Sequence, residues 1–143
     1  MWTRYDPNPV QTGGKHGDCV IRALTIATGK RWDTVYWELC QVGRNFGDWG
    51  NANKVWRKYL RDHGYLQFSV PNTCPVCYTI RDFCRDYPRG VYIVCTGTRD
   101  GDHVVAVKDG SYYDSWDSGE EVPVYFFVRS DAHNDQYPRT MGA

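Results

Sequence analysis

The sequence predicts an α+β domain, with N-terminal helices packed against a C-terminal antiparallel β-sheet. Three observations predict it. The first half carries three runs with apolar residues at helical spacing, set apart by glycines. The second half changes to alternating or continuous apolar runs rich in Val, Ile, Tyr and Phe. Asp109-Gly110, the strongest hairpin dipeptide in the chain, joins two of those runs. At 143 residues the chain suits one domain with a sizeable core. No repeat or linker marks a second domain, so the domain is read over 1–129 and the polar stretch 130–143 as a tail expected to fray.

Residues 1–18 are rich in Pro, Gly, Asn and Thr and read as an extended arm. Gly17-Asp18 is a turn and an N-cap, and the apolar periodicity of Val20, Ile21, Leu24, Ile26 and Ala27 starts a helix at Cys19 that ends near Gly29. A second helix runs from Thr34 to about Val42, stopped by Gly43 and the cluster Gly47-Asp48-Trp49-Gly50-Asn51. A third spans about Ala52 to His63, with Gly64 after it. Tyr65–Val70 alternates as a half-buried strand. A short helix, about Thr79 to Asp86, follows Cys74-Pro75-Val76-Cys77. Strands are then expected at 91–95, 103–108, 111–115 and 123–128, with a turn at Arg99-Asp100-Gly101-Asp102.

Composition excludes several classes. Lys plus Arg and Asp plus Glu both number 17, so no basic excess marks a nucleic-acid footprint. Aromatics reach 15%, with 11 Tyr and 6 Trp, which fits a domain with an aromatic-lined cleft. No apolar run approaches a membrane span and Met1-Trp2-Thr3-Arg4 has no signal-peptide core, so a cytoplasmic protein that does not engage a membrane is expected. In a reducing compartment the six cysteines are expected to be free thiols, metal ligands or a nucleophile rather than a disulfide framework.

Cys19 lies in the first turn of its helix, where unpaired N–H groups and the positive dipole end favour a thiolate, the reactive form of cysteine. His103 opens a strand after a turn, which puts its imidazole at a sheet edge. Asp114, on the return strand of the same hairpin, pairs near it and can accept the imidazole N–H. Each has a plain reading alone: a buried small residue, a strand histidine, a solvated carboxylate. Together they make nucleophile, base and orienting carboxylate.

Cys19 opening a helix, a strand-initial histidine and Asp114-Ser115-Trp116 resemble the papain-like cysteine peptidases, where an Asn or Asp before Ser-Trp follows the histidine. The Gly17-Asp18-Cys19 box with Arg22-Ala23 is also similar to the nucleophile box of ovarian-tumour-type deubiquitinases. Small phage-encoded papain-like proteins share a Gly-Asp-Cys-x-x-Arg-Ala box. They also share a Gly-x-Tyr-Ile strand (Gly90–Ile93), a His-Val-x-Ala-Val strand (His103–Val107) and Tyr-Asp-Ser-Trp-Asp-Ser-Gly (Tyr113–Gly119). The likeness covers most of residues 5–129. It implies a papain-like fold and an acyl-transfer mechanism on a peptide or isopeptide bond of a protein or peptide substrate, a host protein among the candidates. No cofactor is implied. Asp114 is preferred over Asp117 as third member because it occupies the position before Ser-Trp. Asp18 and Trp116 are expected at the substrate cleft, Trp116 either walling it or serving as a core aromatic.

The chain departs from these families at two positions, the first being His16, where the ovarian-tumour box has Asp three before the cysteine. Papain-like enzymes usually carry an oxyanion-hole Gln six residues before the nucleophile, and here that position is Gly13. Gln11 and Asn8 are the alternative donors if the arm folds back. The departure at Gly13 favours a second reading, a non-catalytic papain-like binding or inhibitor protein. A peptidoglycan-cleaving amidase is an alternative within the enzyme class. Cys74-x-x-Cys77 supplies two of the four ligands a structural zinc needs. Cys84, with Cys40 or His63, would have to complete the set in a zinc-stapled interaction module. No second CxxC exists, so the expectation is no metal.

Overall fold

A computed structural model describes residues 1–10, 17–71, 73–98 and 101–129 of the chain. Strand β1 (Trp2–Arg4) precedes three helices, α1 (Cys19–Thr28), α2 (Trp32–Phe46) and α3 (Asn53–Asp62). Strand β2 (Tyr65–Ser69) leads to helix α4 (Ile80–Asp86), and β3 (Val91–Thr98), β4 (Gly101–Lys108), β5 (Ser111–Asp114) and β6 (Pro123–Arg129) complete the chain. The six strands form one sheet in the order β1-β5-β4-β3-β6-β2.

Four of its five pairings are antiparallel, as the sequence predicts for the second half. The fifth makes the sheet mixed: β1 lies parallel to β5, with Thr3 opposite Tyr113. The arm is thus partly a strand. Its end is fastened by the Tyr5 N–H, which donates to the Asp114 carbonyl at 2.8 Å, and by the Tyr5 hydroxyl, 2.6 Å from Thr25 Oγ1 on α1.

Side chains alternate across each strand, so the sheet has two apolar faces. On one, Leu24, Leu39 and Trp56 of α1–α3 pack with Ile93, Cys95, Val104, Ala106 and Phe127. On the other, Ile80, Phe83 and Tyr87 of α4 pack with Tyr92, Val94, Val105, Val107 and Phe126. The expectation of helices on one side holds for the first three only. The continuous run Val91–Cys95 signals the reason, since a strand buried on both faces needs a cover on each. Phe83 supplies it, with its ring 4.5 to 5.4 Å from those of Tyr87, Phe126 and Tyr92.

The helix ends show what each glycine does. Gly29 stops α1 in the left-handed conformation, φ 71°. Helix α2 runs through Gly43 to Phe46 and stops at Gly47, φ 67°. Gly43 is a close-approach residue: a Cβ there would come within 2.6 Å of the Asp48 carbonyl oxygen. The loop Asp48–Gly50 folds back onto the helix at that point, with the Asp48 N–H bonded to the Gly43 carbonyl at 2.8 Å. Helix α4 begins with a full capping box between Thr79 and Asp82. Asp109 and Gly110 both take positive φ, 51° and 79°, as a tight hairpin turn requires. Among the described residues, no helix is long and apolar enough to cross a membrane.

Candidate active site

The site forms where β5 stops short. β5 pairs with β4 at Lys108, Val107 and Ala106 only, while β4 runs on to Gly101. The flank of β4 near His103 is therefore left to another element, and the N-terminus of α1 fills it. The Cys19 sulfur accepts hydrogen bonds from the Val104 backbone N–H and the His103 ring. His103 Nε2 lies 2.6 Å from Asp114 Oδ2, which leaves Nδ1 for the sulfur. Three residues, the first and last 95 positions apart, thus form one hydrogen-bonded series, thiol to imidazole to carboxylate.

Asp114 is 1% exposed and its carboxylate is fully engaged. Oδ2 accepts from His103 and from Ser118 Oγ at 2.6 Å. Oδ1 accepts from the Ser115 N–H at 2.8 Å and from Arg22 Nη2 at 3.0 Å. Arg22 also forks to Asp18. Asp18 Oδ2 in turn accepts from Trp32 Nε1 at 3.1 Å and Asn8 Nδ2 at 3.2 Å. A buried acid–arginine–acid chain therefore ties the start of α1 to the carboxylate behind His103. Asp18 sits at the N-cap position, but its side chain makes no capping bond. The carboxylate serves this chain instead.

Proton affinities follow from these contacts. Burial pushes the Cys19 thiol up, but the hydrogen bonds from His103 and the Val104 N–H, with the nearby charges of His103 and Arg22, hold it below its usual value. Burial would lower His103; hydrogen bonds to Asp114 and Cys19 and the charges of both outweigh it and raise the imidazole to about 10. Burial would raise Asp114, but His103, Ser118 and Arg22 keep it below the usual carboxylate range. All three directions favour a thiolate beside an imidazolium at neutral pH. Burial pushes Cys84 and Cys95 up to about 11, outweighing at Cys95 a hydrogen bond with Tyr125 and the Arg57 charge.

Trp116 stands against the imidazole, ring centroids 5.1 Å apart and 34° between planes. It is 41% exposed, a wall between the His103–Asp114 pair and solvent rather than a core aromatic. Comparison of the chain with protein-family models, with curated proteins and with solved structures finds no match.

The other candidates fall elsewhere. Asp117 turns away from His103 and pairs with Arg81 at 3.0 Å and the Tyr112 hydroxyl. Of the oxyanion candidates, Gln11 lies outside the described residues. Asn8 is buried, its amide directed at Asp18 and its Oδ1 accepting from the Val10 N–H at 2.9 Å. The Cys19 N–H, in the first turn of α1, is a donor beside the sulfur. Cys74 and Cys77 are exposed while Cys84 is buried in the core under α4. Among the described residues no three His, Cys, Asp or Glu side chains gather as a metal-binding group. The site residue that sequence reasoning passed over is Arg22. Its signal was its placement, a charged residue three positions after Cys19 amid the apolar face of α1. An arginine there needs buried carboxylates.

Proposed function

We propose that this protein is a papain-like cysteine peptidase or amidase, cleaving a peptide or isopeptide bond through Cys19, His103 and Asp114. The observation that carries the proposal is the hydrogen-bonded series from Cys19 to His103 to Asp114, with every contact favouring the ion pair. The Cys19 thiolate attacks the scissile carbonyl carbon, and the developing oxyanion meets the Cys19 N–H. His103 gives its proton to the leaving amine as the C–N bond breaks, leaving a thioester on Cys19. Neutral His103 then takes a proton from water, whose oxygen attacks the thioester. The acid departs and the thiolate–imidazolium pair returns. Asp114 holds the imidazole in orientation and stabilises its charge, and Trp116 keeps water from the pair. The packing of α1–α3 on one face of the sheet, with the start of α1 at His103, supports that reading.

A second reading keeps the same fold without turnover, as a binding or inhibitor protein acting on a host protein. Gly13 in place of the usual donor glutamine favours it, as does the engagement of Asn8 with Asp18.

One experiment separates the two. Wild type and Cys19→Ala are incubated with a mixed panel of peptides and isopeptide-linked proteins, and new termini are read by mass spectrometry. Hydrolysis that falls on the order of 10⁴-fold in the variant supports the peptidase reading. Hydrolysis that persists in Cys19→Ala, or a wild type that cuts nothing yet captures a protein as well as the variant does, sinks it.

A further inference from the structure

At the turn that leads into Cys19 lies a cavity of about 250 Å³, bounded by Gly17 and Asp18, the two residues before Cys19, and by α2 and the loop after it. Its rings come from Trp32, Tyr36 and Trp49, its aliphatic surface from Ile21 and Leu39. Trp32 and Tyr36 are stacked, centroids 5.3 Å apart and 16° between planes, so they present one flat apolar wall. Among the described residues bounding it, Asp18 is the only charged one. Its carboxylate is already occupied by Arg22, Trp32 and Asn8. The described lining thus offers no free charge to a cationic or anionic group.

The far wall is fixed in place. Gly43 and Gly50 let the loop lie directly on α2: a Cβ on Gly50 would come within 3.1 Å of the Leu39 carbonyl carbon. Asp48 bonds the Trp49 N–H at 2.7 Å and pairs with Lys54 at 3.2 Å. Yet Trp49, on this clamped loop, is 81% exposed. The Trp49 indole, left in water at the rim on a loop fixed to α2, extends the apolar surface that a ligand in the cavity could cover. A closed apolar cavity of about 150 Å³ accepts a benzene ring, so this volume suits a larger ring or a branched aliphatic group.

We propose that this cavity is the pocket for an aromatic side chain of the polypeptide engaged at Cys19, a ring flanking the reacting carbonyl. The proposal rests on the peptidase reading for the word "reacting"; ring binding itself does not. The pocket shares Gly17-Asp18 with the turn that delivers Cys19, and Trp32 is hydrogen-bonded to Asp18. A ring seated there leaves its backbone at the N-terminus of α1.

Two measurements test it. Indole is titrated into 15N-labelled wild type, Cys40→Trp and Trp49→Ala. Cys40 lines the cavity and is half-buried, so a tryptophan there fills it, while Trp49→Ala removes an exposed ring without disturbing the core. Saturable shifts at the Ile21, Leu39 and Gly50 amides are expected in wild type, weakened several-fold in Trp49→Ala and absent in Cys40→Trp. No saturable shift at these amides in wild type overturns the pocket, as does unaltered binding in Trp49→Ala. Wild type and Trp49→Ala are then given a random peptide library. Cuts next to aromatic residues, less selective in the variant, show the pocket serving the reaction. Cuts without that preference overturn its role as a substrate pocket. Indole binding with no cut at all overturns the peptidase reading and leaves the ring site standing.

Discussion

Replacing Arg22 by Met keeps an unbranched apolar stem and removes the charge that joins Asp18 to Asp114. The Arg22, Asp18 and Asp114 side chains are 6%, 6% and 1% exposed, so water cannot take over the lost contacts. Removing one partner of a buried ion pair costs about 3–5 kcal/mol, because the other charge stays behind. Here Asp114 keeps His103, Ser118 and the Ser115 N–H, and Asp18 keeps Asn8 and Trp32. The low end applies, about 3 kcal/mol. With a urea slope of about 2 kcal/mol/M, the unfolding midpoint falls by roughly 1.5 M. Because the Arg22 charge also favours the Cys19 thiolate, alkylation of Cys19 shifts to higher pH in the folded variant. Arg22→Lys recovers little, since an ammonium cannot fork to two carboxylates as a guanidinium does. Equilibrium urea unfolding and pH-dependent alkylation measure both effects. A loss under about 1 kcal/mol, the range of a surface pair, with an unmoved alkylation profile would refute the reasoning.

Two further outcomes are expected. His103 is raised in the fold and Asp114 lowered, so the signs differ. The His103 contribution to stability is complete below its unfolded value near 6.5 and fades as pH climbs through about 10. The Asp114 contribution is complete above about 3.9 and fades on acidification. A double-mutant cycle of His103→Ala and Asp114→Asn should therefore give its largest coupling between about pH 4 and 6.5 and a smaller one at pH 10, and a coupling that grows with pH contradicts the pair. Gly43→Ala forces a Cβ against the Asp48 carbonyl, and thermal unfolding should show a loss of about 1–3 kcal/mol despite the higher helix propensity of alanine. A stabilised variant would mean the loop moves freely.

Cys19, His103 and Asp114 could be singled out in the sequence because each sits at a local landmark: a helix start, a strand start after a turn, the return strand of an Asp-Gly hairpin. Local chemistry sets those landmarks, and the hairpin register brings the latter two together. Arg22 was a different case. Nothing within its helix says that a carboxylate from 92 residues away will meet it. The second cover of the sheet was half-visible in Val91–Cys95, but a short seven-residue helix gives too little periodicity to assign to a face. Gly43 reads as a stop because glycine stops helices on average; only the returning loop shows it as a contact point. The parallel β1 was hidden because three residues carry no pattern.

The central claim is a thiolate–imidazolium pair at Cys19 and His103. Competitive alkylation of all six cysteines from pH 5 to 9, with each thiol followed by mass spectrometry in wild type and His103→Ala, tests it most directly. The predicted result is that Cys19 alone reacts fast near pH 6, that His103→Ala abolishes this advantage, and that Cys84 and Cys95, pushed up to about 11, stay slow throughout. A Cys19 that reacts no faster than the others at pH 6, or as fast without His103, would contradict it.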